Sequence, residues 1–387
     1  MGRLLLRAHV RSSMPAMNGT DAALSPTARL KSLDALRGVA AMIVLLYHFS
    51  RRFGERFDDT WHPWISYDGQ FGVLLFFMIS GYVITLSTER VHRARDFLFL
   101  RFSRLYPTFW FCLALTTAIV AAAQFPLPVP TPLSVAVNAT MLTKTIRRLT
   151  HQNEAMPYVD GSYWSLEIEL FFYAIVFVLL LTRQMRHIVW VALGFVLLRL
   201  VDLILVRAVG ATLPSVVQWA FFLEYWPYFG LGIAAFAFQH RHERLGPALL
   251  ACFSFLSIAS GGVALTVTML ICTAAFLGAI YDVLPFLRWR PLVWLGVISY
   301  PLYLLHQNIG YVVIRAALHW GLSTEGAIAA ALVTSLGLAT AVTFAIERPS
   351  MRLLRQLFKR WTNRNVPPLS VSGLAPAEPV MASTQPR

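Results

Sequence analysis

The sequence predicts an all-α fold, a polytopic transmembrane bundle of about ten spans with both termini cytoplasmic. Three observations carry that reading. Hydrophobic residues fill 57% of the 387 positions and charged residues only 13%, about half the charged share of an ordinary soluble domain. Apolar runs recur along the whole chain, each long enough to cross about 30 Å of hydrocarbon as a helix. The basic residues gather at alternate breaks between those runs, which is the bias that orients a membrane protein.

Taken in order, the runs fall at about 34–51, 70–88, 98–122, 163–182, 187–206, 216–238, 247–260, 262–280, 292–314 and 325–346. The seventh and eighth meet at Gly261-Gly262, which reads either as a tight turn between two spans or as a break in one long helix. With cytoplasmic ends, the inner segments hold Arg29 and Lys31, the group from Arg90 to Arg104, Arg183 and Arg186, Arg241 and Arg244, Arg288 and Arg290, and the series from Arg348 to Arg364. The outer loops hold fewer, chiefly Arg51, Arg52, Arg56, Lys144, Arg147, Arg148 and Arg207. The longest loop, 123–162, is rich in proline at Pro126, Pro128, Pro130 and Pro132; its middle, Leu133 to Leu142, is too short to span. That stretch either lies along the interface or re-enters the bundle.

Three regions follow. Residues 1–29 are expected to be a disordered cytoplasmic leader, since the run Leu4 to Leu6 between Arg3 and Arg7 is too brief for the core of a signal peptide. Residues 30–350 form the membrane domain, and residues 351–387 a basic and then disordered cytoplasmic tail. The net charge of +14 does not point to nucleic acid, because Lys and Arg sit at the ends of spans and not in one patch. A basic membrane protein instead meets anionic lipid and anionic co-substrates. Cys112, Cys252 and Cys272 all lie inside apolar runs, with neither the spacing of a metal site nor a disulfide framework.

Ionisable groups inside hydrocarbon cost on the order of 3 kcal/mol each, so each needs a partner or a function. The first span holds Asp34, Arg37 and His48. Arg37 and His48 lie about three turns apart, on one helical face with an axial offset of roughly 16 Å. Such a face suits the wall of a polar passage narrowing toward an imidazole; snorkelling by Arg37 and simple hydrogen bonding by His48 are the plainer alternatives. The fourth span opens with Trp164, Ser165, Leu166, Glu167, Ile168 and Glu169. Glu167 and Glu169 point roughly 200° apart on a helix, so one carboxylate faces a given cavity and the other needs a second partner. In the second span Ser80 and Gly81 permit close helix approach beside Tyr82. Arg101 and Arg104 lie one turn apart at the inner end of the third span, placed either to anchor on lipid phosphate or to dock a phosphate-bearing ligand. Ser299, Tyr303 and His306 share a stripe of the ninth, which suits interhelical hydrogen bonding or contact with an acceptor.

Together these segments resemble the acyltransferase family 3 membrane enzymes, bacterial O-acyltransferases that modify exported glycans and, in actinomycetes, macrolide antibiotics. The resemblance covers about residues 30–350 and rests on the order of its motifs. They are Leu33-Asp34-Ala35-Leu36-Arg37-Gly38 with His48, Phe76-Phe77 through Ser80-Gly81-Tyr82, and Arg101-Phe102-Ser103-Arg104-Leu105-Tyr106-Pro107. Further along come Trp164-Ser165-Leu166 with Glu169, Phe172 and Tyr173, then Pro227-Tyr228-Phe229 with Gly232, and Gly296 through Ser299-Tyr300 to Tyr303 and His306.

The resemblance implies that Arg37 and His48 are the essential pair, that Arg101 and Arg104 serve an acyl-coenzyme A donor, and that Glu169 is the acidic residue of the Trp-Ser-Leu motif. Arg37 also belongs to the donor site, while Asp34, Ser80, Tyr82, Trp164, Tyr303 and His306 are the expected substrate contacts. The donor is a co-substrate, with acetyl-CoA the leading choice; no tightly bound cofactor and no metal are expected. His48 acts as general base on an acceptor hydroxyl, or alternatively forms an acyl-His intermediate. Many members carry a fused extracytoplasmic esterase-like domain that residues 351–387 do not supply, so the membrane domain works alone or with a separate extracytoplasmic partner protein. The expected acceptor is an exported or cell-surface glycan, with a secreted glycoside such as a macrolide second. The expected place is the bacterial cytoplasmic (inner) membrane. A transporter or flippase of lipid-linked glycan is the alternative from another class, since it also needs charged residues along a passage.

Overall fold

The computed structural model describes residues 26–57, 61, 63, 68–91, 93–123, 129–152 and 156–362, and within them the chain is all-α, with no strand. The helices are α1 (Pro26–Tyr47), α2 (Phe53–Phe57), α3 (Phe71–Thr88), α4 (Ala94–Ala122), α5 (Pro132–Ala139), α6 (Thr143–Thr150), α7 (Trp164–Leu181) and α8 (Ile188–Val209). They continue as α9 (Ser215–Ala220), α10 (Trp226–His240), α11 (Leu245–Ala259), α12 (Val263–Ile280), α13 (Arg290–His319), α14 (Thr324–Val342) and α15 (Arg348–Thr362). Nine of the ten apolar runs each follow one of these helices, the first continuing past α1 into the turn after it, but the run expected at 216–238 is divided: α9 ends at Ala220 and α10 begins at Trp226, with a 3-10 turn at Leu223–Tyr225 between them. Among the described residues seven helical segments are long and apolar enough to cross a membrane: Lys31–Phe57, Phe71–Thr88, Ala94–Ala122, Gly161–Leu181, Met185–Val209, Val263–Ile280 and Thr324–Arg360. At Gly261-Gly262 the chain turns between two helices, with Gly262 at φ +102°, a conformation that a side chain disfavours.

Both ends of the membrane domain are longer than the apolar pattern suggested. The first helix begins at Pro26, so the last residues of the expected 1–29 leader are helical, and residues 1–25 lie outside the described residues. Proline suits the first position of a helix, and an apolar run marks only the part that must be buried. At the other end a π turn at Thr343–Glu347 joins α14 to α15, so residues 351–362 of the expected tail are helix, while 363–387 lie outside the described residues.

Two backbone-to-backbone crossings set the bundle. A Cβ on Gly38 of α1 would lie 2.5 Å from the backbone N of Gly296 on α13, and a Cβ on Gly296 would overlap the Asp34 carbonyl. In the same way Gly81 of α3 sits against the Phe229 carbonyl of α10, and Gly232 of α10 against the Met78 carbonyl. Small residues let membrane helices approach until their backbones touch. They explain why Gly38, Gly81, Gly232 and Gly296 all fall inside the sequence motifs. Around the second crossing Phe172 stacks on Phe229 with centroids 4.4 Å apart, and Phe195 on Trp226 at 4.2 Å.

The long loop re-enters the bundle. From Thr131, whose hydroxyl caps α5, the chain runs back along α4 until Trp110 Nε1 donates to the Ala139 carbonyl at 2.9 Å and Tyr106 OH to the Thr140 carbonyl at 3.2 Å. Trp110 precedes the end of α4 by twelve residues, so the loop returns about 18 Å toward the middle of the bundle. Next, α6 is tied to the first turn of α7: Glu167, 1% exposed, accepts the backbone N–H groups of Lys144 and Thr145 and the Thr145 hydroxyl at 2.8, 2.7 and 2.5 Å. The two divergent carboxylates therefore have separate partners, as their angular spacing required.

Gly296→Leu and Gly232→Leu should each lower the melting temperature of the detergent-solubilised protein by about 5 °C or more, because neither backbone can retreat. Gly194→Ala is the control, since a Cβ there meets nothing within 4 Å. Unchanged melting of the two leucine variants would contradict the crossings.

Candidate active site

His48 opens a π turn, His48–Arg52, directly after the last residue of α1, and π turns recur at functional positions. Its Nδ1 lies 2.9 Å from the Val44 carbonyl and 3.0 Å from Nε2 of His306 on α13. The rings meet edge to face, with centroids 4.9 Å apart. His306 Nδ1 in turn lies 2.9 Å from the Tyr303 carbonyl. A carbonyl oxygen only accepts, so in the neutral ring His306 Nδ1 carries the proton and its Nε2 is a lone pair. His48 Nδ1, between two acceptors, is then a donor, and the remaining lone pair is on His48 Nε2. His48 lines a cavity of about 840 Å³. The pair thus fixes one tautomer of an imidazole beside open space.

The α13 segment that presents His306 is held from the side by the turn before α7. Asp160 is fully buried; its Oδ1 accepts from the Ser162 N–H and hydroxyl at 2.9 and 2.6 Å, and its Oδ2 from the Asn308 backbone N–H at 2.9 Å. Asn308 returns a hydrogen bond to the Val159 carbonyl at 2.7 Å. Tyr303 OH donates to the Ser162 carbonyl at 2.9 Å and accepts from Ser165 Oγ at 2.8 Å. A buried carboxylate is stable only when its lone pairs are satisfied, and here they are, without an ion pair among the described residues. Pro301 inside α13 removes one rung of the helix ladder, so side anchoring matters more at this height. The sequence reading passed over Asp160 and Asn308. Asp160 precedes a Gly-Ser pair at the start of a helix, where it looks like any capping residue.

Arg37 opens into a second, narrow cleft of about 40 Å³ that it shares with Ser80, Glu169, Ser299 and Tyr300. Glu169 accepts from Ser80 Oγ at 3.1 Å and from Tyr173 OH at 2.5 Å. Val73 and Tyr303 line both the cleft and the large cavity, so the Arg37 side and the His48 side adjoin at these two residues. Trp164 lines the large cavity.

Other residues singled out from sequence stand elsewhere. Tyr82 is fully buried, donates to Gln239 of α10 and lines neither space. Asp34 also lines neither; its carbonyl packs against Gly296. Arg101 donates to Ser87 Oγ at 2.6 Å and lies over the rings of Phe97 and Tyr173. Arg104 pairs with Glu347 at 2.5 Å, at the π turn before α15. Both guanidiniums, expected to meet lipid or donor phosphate, also have protein partners: Ser87 and Tyr173 reach Arg101, and Glu347 reaches Arg104.

A family model described as an acyltransferase domain matches residues 30–347. A curated relative, "Protein 2 in picA locus" of Rhizobium radiobacter, is 35% identical over 114 residues, which are 28% of this chain and 54% of that protein. The chain therefore spans about half the length of the curated relative it matches. No solved structure matches.

Removing the Asp160 acceptor should release α13. Asp160→Ala is expected to cost about 3 kcal/mol, since it strands the Asn308 and Ser162 donors. Hydrogen exchange at the Asn308 amide should accelerate with it; unchanged protection there would contradict the assigned anchor.

Proposed function

The chain belongs to the acyltransferase family whose model it matches over residues 30–347, and from that premise we propose a more specific activity. It moves an acyl group, acetyl first among the candidates, from cytoplasmic acyl-coenzyme A to a hydroxyl of an exported or cell-surface glycan. In this reading the bundle has ten spans in a bacterial inner membrane, with both ends and the Arg37 mouth facing the cytoplasm. The observation that carries it is the His48–His306 pair, which leaves His48 Nε2 unprotonated at the wall of the large cavity.

The chemistry needs a base for an alcohol and a cation for an oxyanion. The acceptor oxygen attacks the thioester carbonyl carbon while His48 Nε2 removes the hydroxyl proton. The carbon–sulfur bond then breaks, and the coenzyme A thiolate leaves with that proton. Imidazole suits this because it exchanges protons near neutral pH. His306 is the positioning residue, the third group that orients a base. Arg37 lines the cleft and is assigned to the thioester oxygen as it becomes an oxyanion. Glu169, held by Ser80 and Tyr173, shapes the cleft through which the donor arm reaches Tyr303. The donor phosphates are assigned to the inner end, where Arg101 and Arg104 offer the N–H groups left over from Ser87 and Glu347. Each guanidinium has five donors, so one partner does not exhaust it. A glycan flippase is disfavoured because the family model that matches residues 30–347 is an acyltransferase domain.

Purified protein with acetyl-CoA should release free thiol only when a surface-glycan acceptor is added. His48→Ala should lower that rate by roughly 100-fold or more at unchanged membrane yield. His306→Gln, which keeps an acceptor for His48 Nδ1–H, should retain more activity than His306→Leu. Full turnover in His48→Ala would remove the assignment of the base, and equal loss in the two His306 variants would remove the orienting role.

A further inference from the structure

The wall of the large cavity carries a charge pattern that the transfer chemistry does not use. Arg52, Arg56, Lys144, Arg147 and Arg148 all line it, and among the described residues none of its lining is acidic. A neighbouring cavity of about 410 Å³ shares Lys144, Arg147 and Arg148 with it and adds Arg199, with Glu224 the one acidic lining residue among those described. Two of these cations have protein counter-ions: Arg52 pairs with Glu55 at 3.0 Å and Arg199 with Asp202 at 2.8 Å.

The three on α6 have none among the described residues. They face rings instead, with Lys144 Nζ 5.5 Å from the Phe222 centroid, Arg147 5.9 Å from Tyr158 and Arg148 5.6 Å from Trp219. Arg148 Nη1 is buried without a hydrogen-bond partner among the described residues. The carboxylate that touches α6, Glu167, has its oxygens occupied by the Lys144 and Thr145 N–H groups and the Thr145 hydroxyl. It therefore positions the cations without pairing with their side chains. Burial and the charge of Arg148 push the Lys144 ammonium below its ordinary range, against the opposing pull of Glu167 and Glu224. In the ten-span reading these positions also lie at the end of the bundle where the orienting bias disfavours Lys and Arg. Like charges held together, partly desolvated and against that bias, are stable when an anion completes them.

We propose that the acceptor is an anionic saccharide, whose carboxylate or phosphate is held by Lys144, Arg147 and Arg148 while its hydroxyl faces His48. The proposal rests on the acyltransferase reading and narrows its substrate class. Trp164, Tyr158 and Tyr225 line the same space, and aromatic side chains supply the apolar surface on which a sugar ring packs.

The test is equilibrium binding, read without turnover, of a galacturonic acid tetrasaccharide and of its carboxyl-reduced neutral counterpart to the purified full chain. The acidic probe should bind at least ten-fold tighter, and Arg147→Gln with Arg148→Gln should erase that preference. If the double variant does not fold, the wild-type preference should still fall several-fold between about 0.05 and 0.5 M salt. Equal affinity for the two probes, a preference that survives the double substitution, or one that salt leaves intact would overturn the proposal. So would displacement of the acidic probe by phosphatidylglycerol nanodiscs but not by phosphatidylcholine ones, which would assign the cations to lipid headgroups. Selective binding without thiol release from acetyl-CoA would retain the anion site and reject the acyl-transfer reading instead.

Discussion

A single hydrogen bond between two imidazoles, His48 Nδ1 to His306 Nε2 at 3.0 Å, joins α1 to α13, and much of the bundle can be read as what keeps it in place. Glycines at 38 and 296 let the two backbones touch about three turns below, which fixes their separation. Asp160 and Asn308 fix the height and rotation of α13 from the side. The π turn at His48 re-aims the chain just where the ring must face the cavity. If any of these supports fails, His48 Nδ1 keeps the Val44 carbonyl as its acceptor, but the ring loses the His306 contact that ties it to α13.

The two spaces that adjoin at Val73 and Tyr303 divide the electrostatic work. On the Arg37 side, guanidiniums and carboxylates stand close together: Arg104 with Glu347, and Glu169 with the hydroxyls of Ser80 and Tyr173. On the His48 side the three α6 cations stand apart from carboxylates and face aromatic rings. A site that stabilises transient charge benefits from fixed dipoles whose own charges are largely balanced. A site that captures a charged ligand benefits from an unbalanced field. The contrast fits transfer chemistry at the junction and capture of an acceptor above it.

Much of this was legible in the sequence, and the parts that were not share a cause. The spans follow from runs of apolar residues, and the opposed directions of Glu167 and Glu169 from helical period alone. The same arithmetic placed Arg37 and His48 on one face, and they open into adjoining spaces. Periodicity says nothing about which helix lies opposite, so the stripe Ser299, Tyr303 and His306 did not disclose that His306 meets His48. Asp160 resembled a capping residue because it is one, for Ser162; its second oxygen, on Asn308, is a tertiary contact. The partners of Arg101 and Arg104 were not legible because Ser87, on the preceding helix, and Glu347, far along the chain, meet them only through helix packing.

The most direct test is the protonation of the His48 ring itself. In nitrogen-15 spectra of histidine-labelled protein near neutral pH, His48 should show a protonated Nδ1 and an unprotonated Nε2, with a coupling from its Nδ1–H across to His306 Nε2. A protonated Nε2 on neutral His48, or no coupling between the two rings, would contradict the account.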